Sequence, residues 1–226
     1  MYEHNAIVPP PKESTPVSAR AALGPRALHR HVRAKRAFDV VFAALVVLFL
    51  LSWLVPLIAM LIRMESKGPA FFKQLRTGKD GQPFYCLKFR SMTLNREADE
   101  RQASKEDVRI TQVGAFLRKT SLDELPQFFN VLKGEMSVVG PRPHMLRHTE
   151  YYAGTIHNFM DRHLAMPGIT GLAQVSGLRG ETKELDAMAK RVQADLHYLR
   201  NWSFWLDVKI VARTLAQVVI RNENAF

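Results

Sequence analysis

The chain has 226 residues, with 32 basic against 21 acidic side chains, a net charge of +11 and a hydrophobic fraction of 47%. That length suits one domain with a real core, and the lone Cys86, with no Cys or His at zinc spacing, excludes an internal disulfide and a structural zinc site. A balance this basic fits nucleic acid, phosphorylated small molecules or an anionic membrane surface; no helix-turn-helix, RRM or zinc-finger pattern is present, so no nucleic acid partner is expected and membrane lipid is.

Residues 1–34 are rich in Pro, Ala and Arg without sustained periodicity, and read as a disordered basic leader. The leader is too long for the n-region of a secretory signal. The apolar run after it ends in "IAMLIRM", which lacks a small-x-small cleavage site, so a retained membrane segment is expected over residues 35–66. Its uncharged part, residues 40–62, would make a helix of roughly 34 Å against a bilayer core of about 30 Å. Pro56 cannot donate to the Ser52 carbonyl and crowds it. A kink near Ser52 and Pro56 follows, with the serine hydroxyl serving freed backbone groups. Arg33, Lys35 and Arg36 precede the run, and Arg63, Lys67, Lys73 and Arg76 follow it. Basic flanks favour the cytoplasmic side, and here both ends carry them. A re-entrant helix and a kinked span both remain open on this reading.

Next, "GPAFFKQLRTGKDGQPFYCLKFRSM" has short aromatic-rich runs around Gly-Lys-Asp-Gly and reads as a β-hairpin; the phosphate-loop pattern is absent. The charged "LNREADERQASKEDVRIT" is expected to be a solvated helix or loop. "QVGAFLRKTS" reads as a short helix with Phe116 and Leu117 inward. "MPGITGLAQVSGLRGET" carries four glycines and few charges, fitting a loop that offers backbone to a ligand or merely connects. His144, His148, His157 and His163 are not at metal spacing and read as surface or hydrogen-bonding residues.

Leu185, Met188, Val192, Leu196 and Leu199 fall at helical spacing, with acidic residues first and basic ones last as the helix dipole prefers. In the last helix, "NWSFWLDVKIVARTLAQVVI", the polar residues are Asp207 and the stripe Lys209, Arg213 and Gln217. Such a helix, led by Trp202 and Trp205, lies in a membrane interface or packs in the core.

Two stretches carry chemistry. In "TSLDELPQ", Ser121 and Glu124 match a capping box, the plain reading of two acids opening a helix. Neighbouring helical residues point about 100° apart, so Asp123 and Glu124 would divide roles rather than face one atom. Pro126, lacking an N–H for Leu122, makes the first turn irregular. A carboxylate near Arg118 and a helix N-terminus stays ionised, as a nucleophile or magnesium ligand must be. In "GPRP", Pro141 and Pro143 fix the backbone on either side of Arg142, presenting it for bidentate phosphate binding.

Taken in order, "KRAFDVVFA", "GPAFFKQLRTGKDGQPFYCLKFRSM", "RKTSLDELPQFFNVLKGEMSVVGPRP", "PGITGLAQVSG" and "DLHYLRNWSFWLDVKIVARTL" resemble the bacterial sugar transferase family, the monotopic polyprenyl-phosphate phosphoglycosyl transferases. The likeness covers nearly all of residues 35–226 and outweighs the cap. It implies an α/β mixed, mostly helical fold. A re-entrant membrane helix is followed by a catalytic domain over residues 67–226 that faces the cytoplasm and ends in an interfacial helix. It further implies Mg2+, with Asp123 as nucleophile and Glu124 completing the dyad as metal-site partner or proton acceptor. Arg118 and Arg142 match family arginines near the dyad and at the phosphate. Arg179 corresponds to a loop arginine after a local shift of alignment. Ser52 and Pro56 match the family's Ser-Pro break, although relatives often have the two residues adjacent.

The resemblance implies transfer of a sugar-1-phosphate from a UDP-sugar to undecaprenyl phosphate, releasing UMP, at the cytoplasmic face of the bacterial inner membrane. This would be the first membrane step of exopolysaccharide or capsule synthesis. "GPRPHMLRHTEYY", "FMDRH", "GLRGET" and "KRVQADLHYLRNWSFWLD" look most like undecaprenyl-phosphate glucose phosphotransferases. Many of those carry further N-terminal spans, so this chain reads as a short natural form or a trimmed catalytic core. Leu172 and Ser176 stand where relatives often have Trp and Asn. This leaves galactose-1-phosphate or an N-acetylhexosamine phosphate as alternative cargo. A non-enzymatic membrane-surface scaffold is the rival of another class, and homo-oligomerisation is left open.

Overall fold

The computed structural model of the protein describes residues 25–94, 107–178 and 185–220. The charged stretch after Leu94 lies largely outside them, as does Arg179. Helix α1 (Pro25–Val46), a π turn (Val47–Leu51) and α2 (Ser52–Glu65) run on as one helix, which starts inside the stretch read as leader. Among the described residues it is one helix long and apolar enough to cross a membrane. In the π turn the Ser52 N–H reaches Val47 O and passes over Leu48. Ser52 Oγ donates to the Leu48 carbonyl at 2.7 Å, and Trp53 Nε1 donates to Phe49 O at 3.0 Å. The hydroxyl thus serves the π turn, one turn ahead of Pro56.

Both ends of the apolar run are tied to the body of the protein. At the start, Lys35 Nζ donates to Val139 O at 2.9 Å and pairs with Asp207 at 2.7 Å. Arg36 donates to the Val131 and Leu132 carbonyls at 2.7 and 3.1 Å, where basic groups suit a helix C-terminus. At the far end, Arg90 donates to the Ser66 and Lys67 carbonyls at 2.7 and 2.5 Å. Glu65 accepts from the Gln112 and Val113 N–H groups at 2.5 and 3.0 Å. Between these ties Ala43, Leu51, Ile58 and Ile62 are buried, while Val41, Leu45, Leu48, Phe49 and Trp53 are exposed.

The hairpin forms as expected. Strand β1 (Phe71–Thr77) pairs antiparallel with β2 (Pro83–Phe89), from Phe71 opposite Phe89 to Thr77 opposite Pro83. Asp80 and Gly81 sit at φ 52° and 77°, which is why the turn uses Asp-Gly. Helix α3 (Gln112–Thr120) is capped by Thr111, whose side chain accepts from the Gly114 N–H at 3.0 Å. Leu117 is buried, but Phe116 is 59% exposed, against expectation. Neighbours on a helix lie about 100° apart, and only one of them faces the core.

After a 3₁₀ turn (Leu122–Glu124) come α4 (Gln127–Lys133), β3 (Ser137–Val139), α5 (Leu146–Thr155), a 3₁₀ segment (Phe159–Leu164), β4 (Gly168–Thr170) and α6 (Leu172–Val175). Strands β3 and β4 pair in parallel, Ser137 opposite Gly168 and Val139 opposite Thr170. The glycine-rich stretch is therefore partly strand and helix, not simply loop. Its Gly168 approaches Gly140 so closely that a Cβ would lie 2.1 Å from the Gly140 nitrogen. The glycine here serves backbone packing under "GPRP".

Helix α7 (Leu185–Arg200) buries Met188 and Val192 as expected, but leaves Leu185 exposed in its first turn. Helix α8 (Phe204–Ile220) divides its faces. Ile210 is in the core, while Trp205, Leu215 and Val218 are exposed. Asp207 is buried at 1% exposure, accepting from Tyr198 at 2.7 Å and Trp202 at 3.0 Å besides pairing with Lys35. Phe38 of α1 meets Phe204 of α8 edge-on with centroids 5.5 Å apart, so the exposed apolar faces of the two helices adjoin.

Candidate active site

Helix α3 stops because Ser121 is left-handed, at φ 59° and ψ 15°. Ser121 is not the N-cap of a capping box: its side chain makes no capping hydrogen bond, and its left-handed backbone ends one helix rather than starting another. A short 3₁₀ turn follows, and α4 begins only after Pro126, a position where a missing N–H costs nothing. In a 3₁₀ turn residues three apart eclipse. Leu122 and Leu125 accordingly share one side, where they pack with Ile58, Ile62, Phe89 and Leu117. That anchorage turns Asp123 and Glu124 towards the polar side, at 8% and 7% exposure.

Glu124 is held by two cations. Arg142 Nη1 and Nη2 donate to its two oxygens at 3.1 and 2.6 Å, and Lys88 Nζ donates to Oε1 at 2.9 Å. The Arg142 guanidinium is raised in pKa chiefly by this carboxylate. Asp123 is different: among the described residues no hydrogen bond reaches its carboxylate. Burial pushes its pKa up; Lys88 pulls it back, Glu124 adds to the rise, and Arg118 and Arg142 oppose it.

The "GPRP" loop is fixed at successive carbonyls. Gly168 N donates to Pro141 O at 2.9 Å, Arg162 Nη2 to Arg142 O at 2.8 Å, Arg76 Nη1 to Pro143 O at 3.0 Å and Thr77 N to His144 O at 2.9 Å. Arg162, 1% exposed, pairs through Nε and Nη2 with Asp195 Oδ2 at 2.9 and 2.6 Å, and its Nη1 meets His144 Nδ1. Arg191, one turn before Asp195 on α7, donates from Nε to Leu178 O at 2.9 Å. The structure thus brings Asp123, Glu124, Arg118, Arg142, Pro141 and Pro143 into one region. Ser52 and Pro56 lie apart on α2.

A profile of the bacterial sugar transferase family matches residues 30–221. The chain belongs to the bacterial sugar transferase family. It is 52% identical over 193 residues to the UDP-glucose:undecaprenyl-phosphate glucose-1-phosphate transferase of Klebsiella pneumoniae, covering 85% of this chain and 41% of the relative. A protein of the same name from Caulobacter vibrioides is 48% identical over 193 residues, 85% of this chain and 72% of that one. The UDP-N-acetylgalactosamine-undecaprenyl-phosphate N-acetylgalactosaminephosphotransferase of Aeromonas hydrophila is 42% identical over 186 residues, 82% and 43% of the two chains. The match thus spans less than half the length of the first of these relatives.

Sequence alone does not mark Lys88, Arg76, Arg162, Arg191 and Asp195 as site residues. The signals were there for some of them: Lys88 and Arg90 alternate through "CLKFR", and Arg191 and Asp195 stand at i, i+4 on one helix face. The donor set also bears on a metal. Among the described residues no group of three or more His, Cys, Asp or Glu could hold one alone. Magnesium takes one or two carboxylates and completes its shell with water and substrate phosphates. A buried carboxylate without hydrogen bonds, Asp123, beside Glu124 fits that mode.

Proposed function

We propose that the chain transfers a sugar-1-phosphate, glucose-1-phosphate in first place, from a UDP-sugar to undecaprenyl phosphate through a phosphosugar on Asp123. The observation that carries this reading is the division of the two carboxylates. Glu124 is locked to Arg142 and Lys88, while the Asp123 carboxylate is buried without hydrogen bonds. A nucleophile needs that state, since a carboxylate wrapped in donors attacks poorly.

In the first step an Asp123 oxygen attacks the sugar-bearing phosphorus. The bond from that phosphorus to the bridging oxygen breaks, and its electron pair leaves on UMP. In the second step a phosphate oxygen of undecaprenyl phosphate attacks the same phosphorus and the Asp123 carboxylate departs. Lys88, Arg118 and Arg142 offset the negative charge gathered around the phosphorus, and Glu124 holds Lys88 and Arg142 in place. Magnesium, when bound at Asp123 and Glu124, would supply further neutralisation of the phosphates. A covalent intermediate lets a water-soluble donor and a lipid acceptor use one site in turn. Relatives named for glucose and for N-acetylgalactosamine leave the sugar to be settled by assay.

Both ends of the apolar run are tied to the charged body that carries the site. A body bearing buried ion pairs and many exposed charges does not enter a hydrocarbon core. The run therefore enters and leaves by one face, the cytoplasmic one, and the exposed apolar side of α8 lies on the same inner membrane. Membrane lipid is thus a partner of the exposed helix faces.

With UDP-glucose and undecaprenyl phosphate the expected nucleotide product is UMP; release of UDP would sink the mechanism, because it means the sugar moved without its phosphate. The acid limb of kcat/KM is expected above the ordinary aspartate range, since burial raises Asp123. Lys88→Met, which removes a lowering charge, should move that limb to higher pH. Glu124→Gln, which removes a raising one, should move it lower. A limb unmoved in both variants assigns the titration elsewhere.

A further inference from the structure

His144, next to "GPRP", is 5% exposed and lies under the ring of Phe159, centroids 5.9 Å apart. Arg162 Nη1 meets its Nδ1, and arginine has no acceptor, so Nδ1 is the bare nitrogen and the ring proton sits on Nε2. Burial first, then the charges of Arg162, Arg191, Arg76 and Arg142, hold the imidazole well below its usual pKa, so the ring stays neutral. Its Nε2–H is a buried donor without a hydrogen-bond partner among the described residues. Such a donor is costly unless something accepts from it.

The same four guanidiniums converge from separate elements. Arg76 comes from β1 and donates to Pro143 O, Arg142 from the loop itself, Arg162 from the 3₁₀ segment, and Arg191 from α7. Arg191 is 7% exposed, and burial, with Arg142 and Arg162 beside it, lowers its pKa to about 10. Like charges gathered away from water repel one another, and each is held by a backbone carbonyl or by a carboxylate, Glu124 for Arg142 and Asp195 for Arg162. A multiply charged anion with several acceptor oxygens relieves both the repulsion and the idle N–H at once.

We propose that His144 Nε2 and Arg191, together with Arg142, form a subsite for a phosphate ester, one oxygen facing the imidazole and the others the guanidiniums. The inference rests on the function proposed above, which offers two such esters: the phosphate of the uridine nucleotide and that of the polyprenyl acceptor. It adds to that function two binding residues, one of which the sequence presents as a surface or hydrogen-bonding histidine.

The test titrates the full chain in nanodiscs with UMP and, separately, with a soluble short-chain prenyl phosphate. Arg191→Gln and His144→Asn are each expected to weaken one of the two ligands roughly tenfold, the size of a lost charge-assisted hydrogen bond. Asparagine can still accept from Arg162 in place of Nδ1 but cannot reach the Nε2 position. Glutamine can, so His144→Gln should recover most of the loss, which a merely structural role would not predict. UMP weakened alone assigns the subsite to the nucleotide, and prenyl phosphate weakened alone assigns it to the acceptor. Variants that keep the wild-type thermal midpoint and bind both ligands within twofold of wild type overturn the subsite while leaving the function standing. A wild-type protein that binds neither ligand sinks both.

Discussion

Asp123→Asn is expected to abolish turnover and to raise thermal stability at neutral pH. The first effect follows from chemistry. An amide cannot form the acyl phosphate, and loss of a nucleophile in a covalent mechanism costs on the order of a thousandfold or more. The second follows from linkage. Burial is the largest influence on the Asp123 carboxyl and raises its pKa above the unfolded value. A group raised in this way contributes stability that is full below the unfolded pKa and is lost as pH climbs through the folded one. At pH 7 the unfolded carboxyl is ionised, so folding carries a cost at this site, only partly offset by Lys88, Arg118 and Arg142. Asparagine has nearly the same shape and no charge. The variant should melt a few degrees higher at pH 7, on the scale of about 2–4 °C per kcal/mol for a chain of this size, and the gap should close on acidification. Turnover within tenfold of wild type would exclude Asp123 as the nucleophile. A melting point lowered at pH 7 would mean that the surrounding cations, not burial, dominate its environment.

That trade locates what local sequence could and could not tell. The hairpin was legible, because Asp80 and Gly81 are residues that tolerate positive φ between aromatic strands. So were α7 and α8, whose periodicity is long. The placement of Asp123 and Glu124 was not legible from their own stretch: Ser121-x-x-Glu124 has the composition of a cap, and only Ser121 turning left-handed removes that role. Nothing local reveals that, since serine carries no marked preference for the conformation. The burial of charges was hidden for another reason. Asp207 looks like part of a polar face until Lys35, 172 residues earlier, arrives as its partner. Arg162 and Asp195, separated by 33 residues and an intervening strand and helix, likewise look like surface charges. Pairings of this kind depend on tertiary closure, and periodicity carries no information about them. Family motifs did group Asp123, Glu124 and Arg142, which the structure brings together, because a motif records the outcome of that closure.

Arg162→Met should be the most destabilising single change near the site, by about 3–5 kcal/mol, because it leaves Asp195 buried and alone. The pair is 1% and 2% exposed, and water cannot take the place of the guanidinium without opening the core. Asp195 is already pushed up by burial, with Arg162 as the main opposing influence. Without Arg162 its folded pKa climbs further, so stability of the variant should be recovered in part at lower pH and lost as pH rises, the sign set by a raised carboxyl. Arg162→Met with Asp195→Leu removes both charges, and melting should return most of the way towards wild type, since an apolar pair of similar volume often substitutes for a buried ion pair. Turnover should not return. The double variant still lacks the donor to the Arg142 carbonyl and the contact at His144 Nδ1. Arg142 then loses the backbone restraint that sets its guanidinium on Glu124, and kcat should stay depressed by about tenfold or more, in the range that small misplacement of a positioned group costs. Recovery of stability and kcat together would show that Arg162 serves the fold alone. Recovery of stability without kcat identifies it as the residue that positions the "GPRP" arginine.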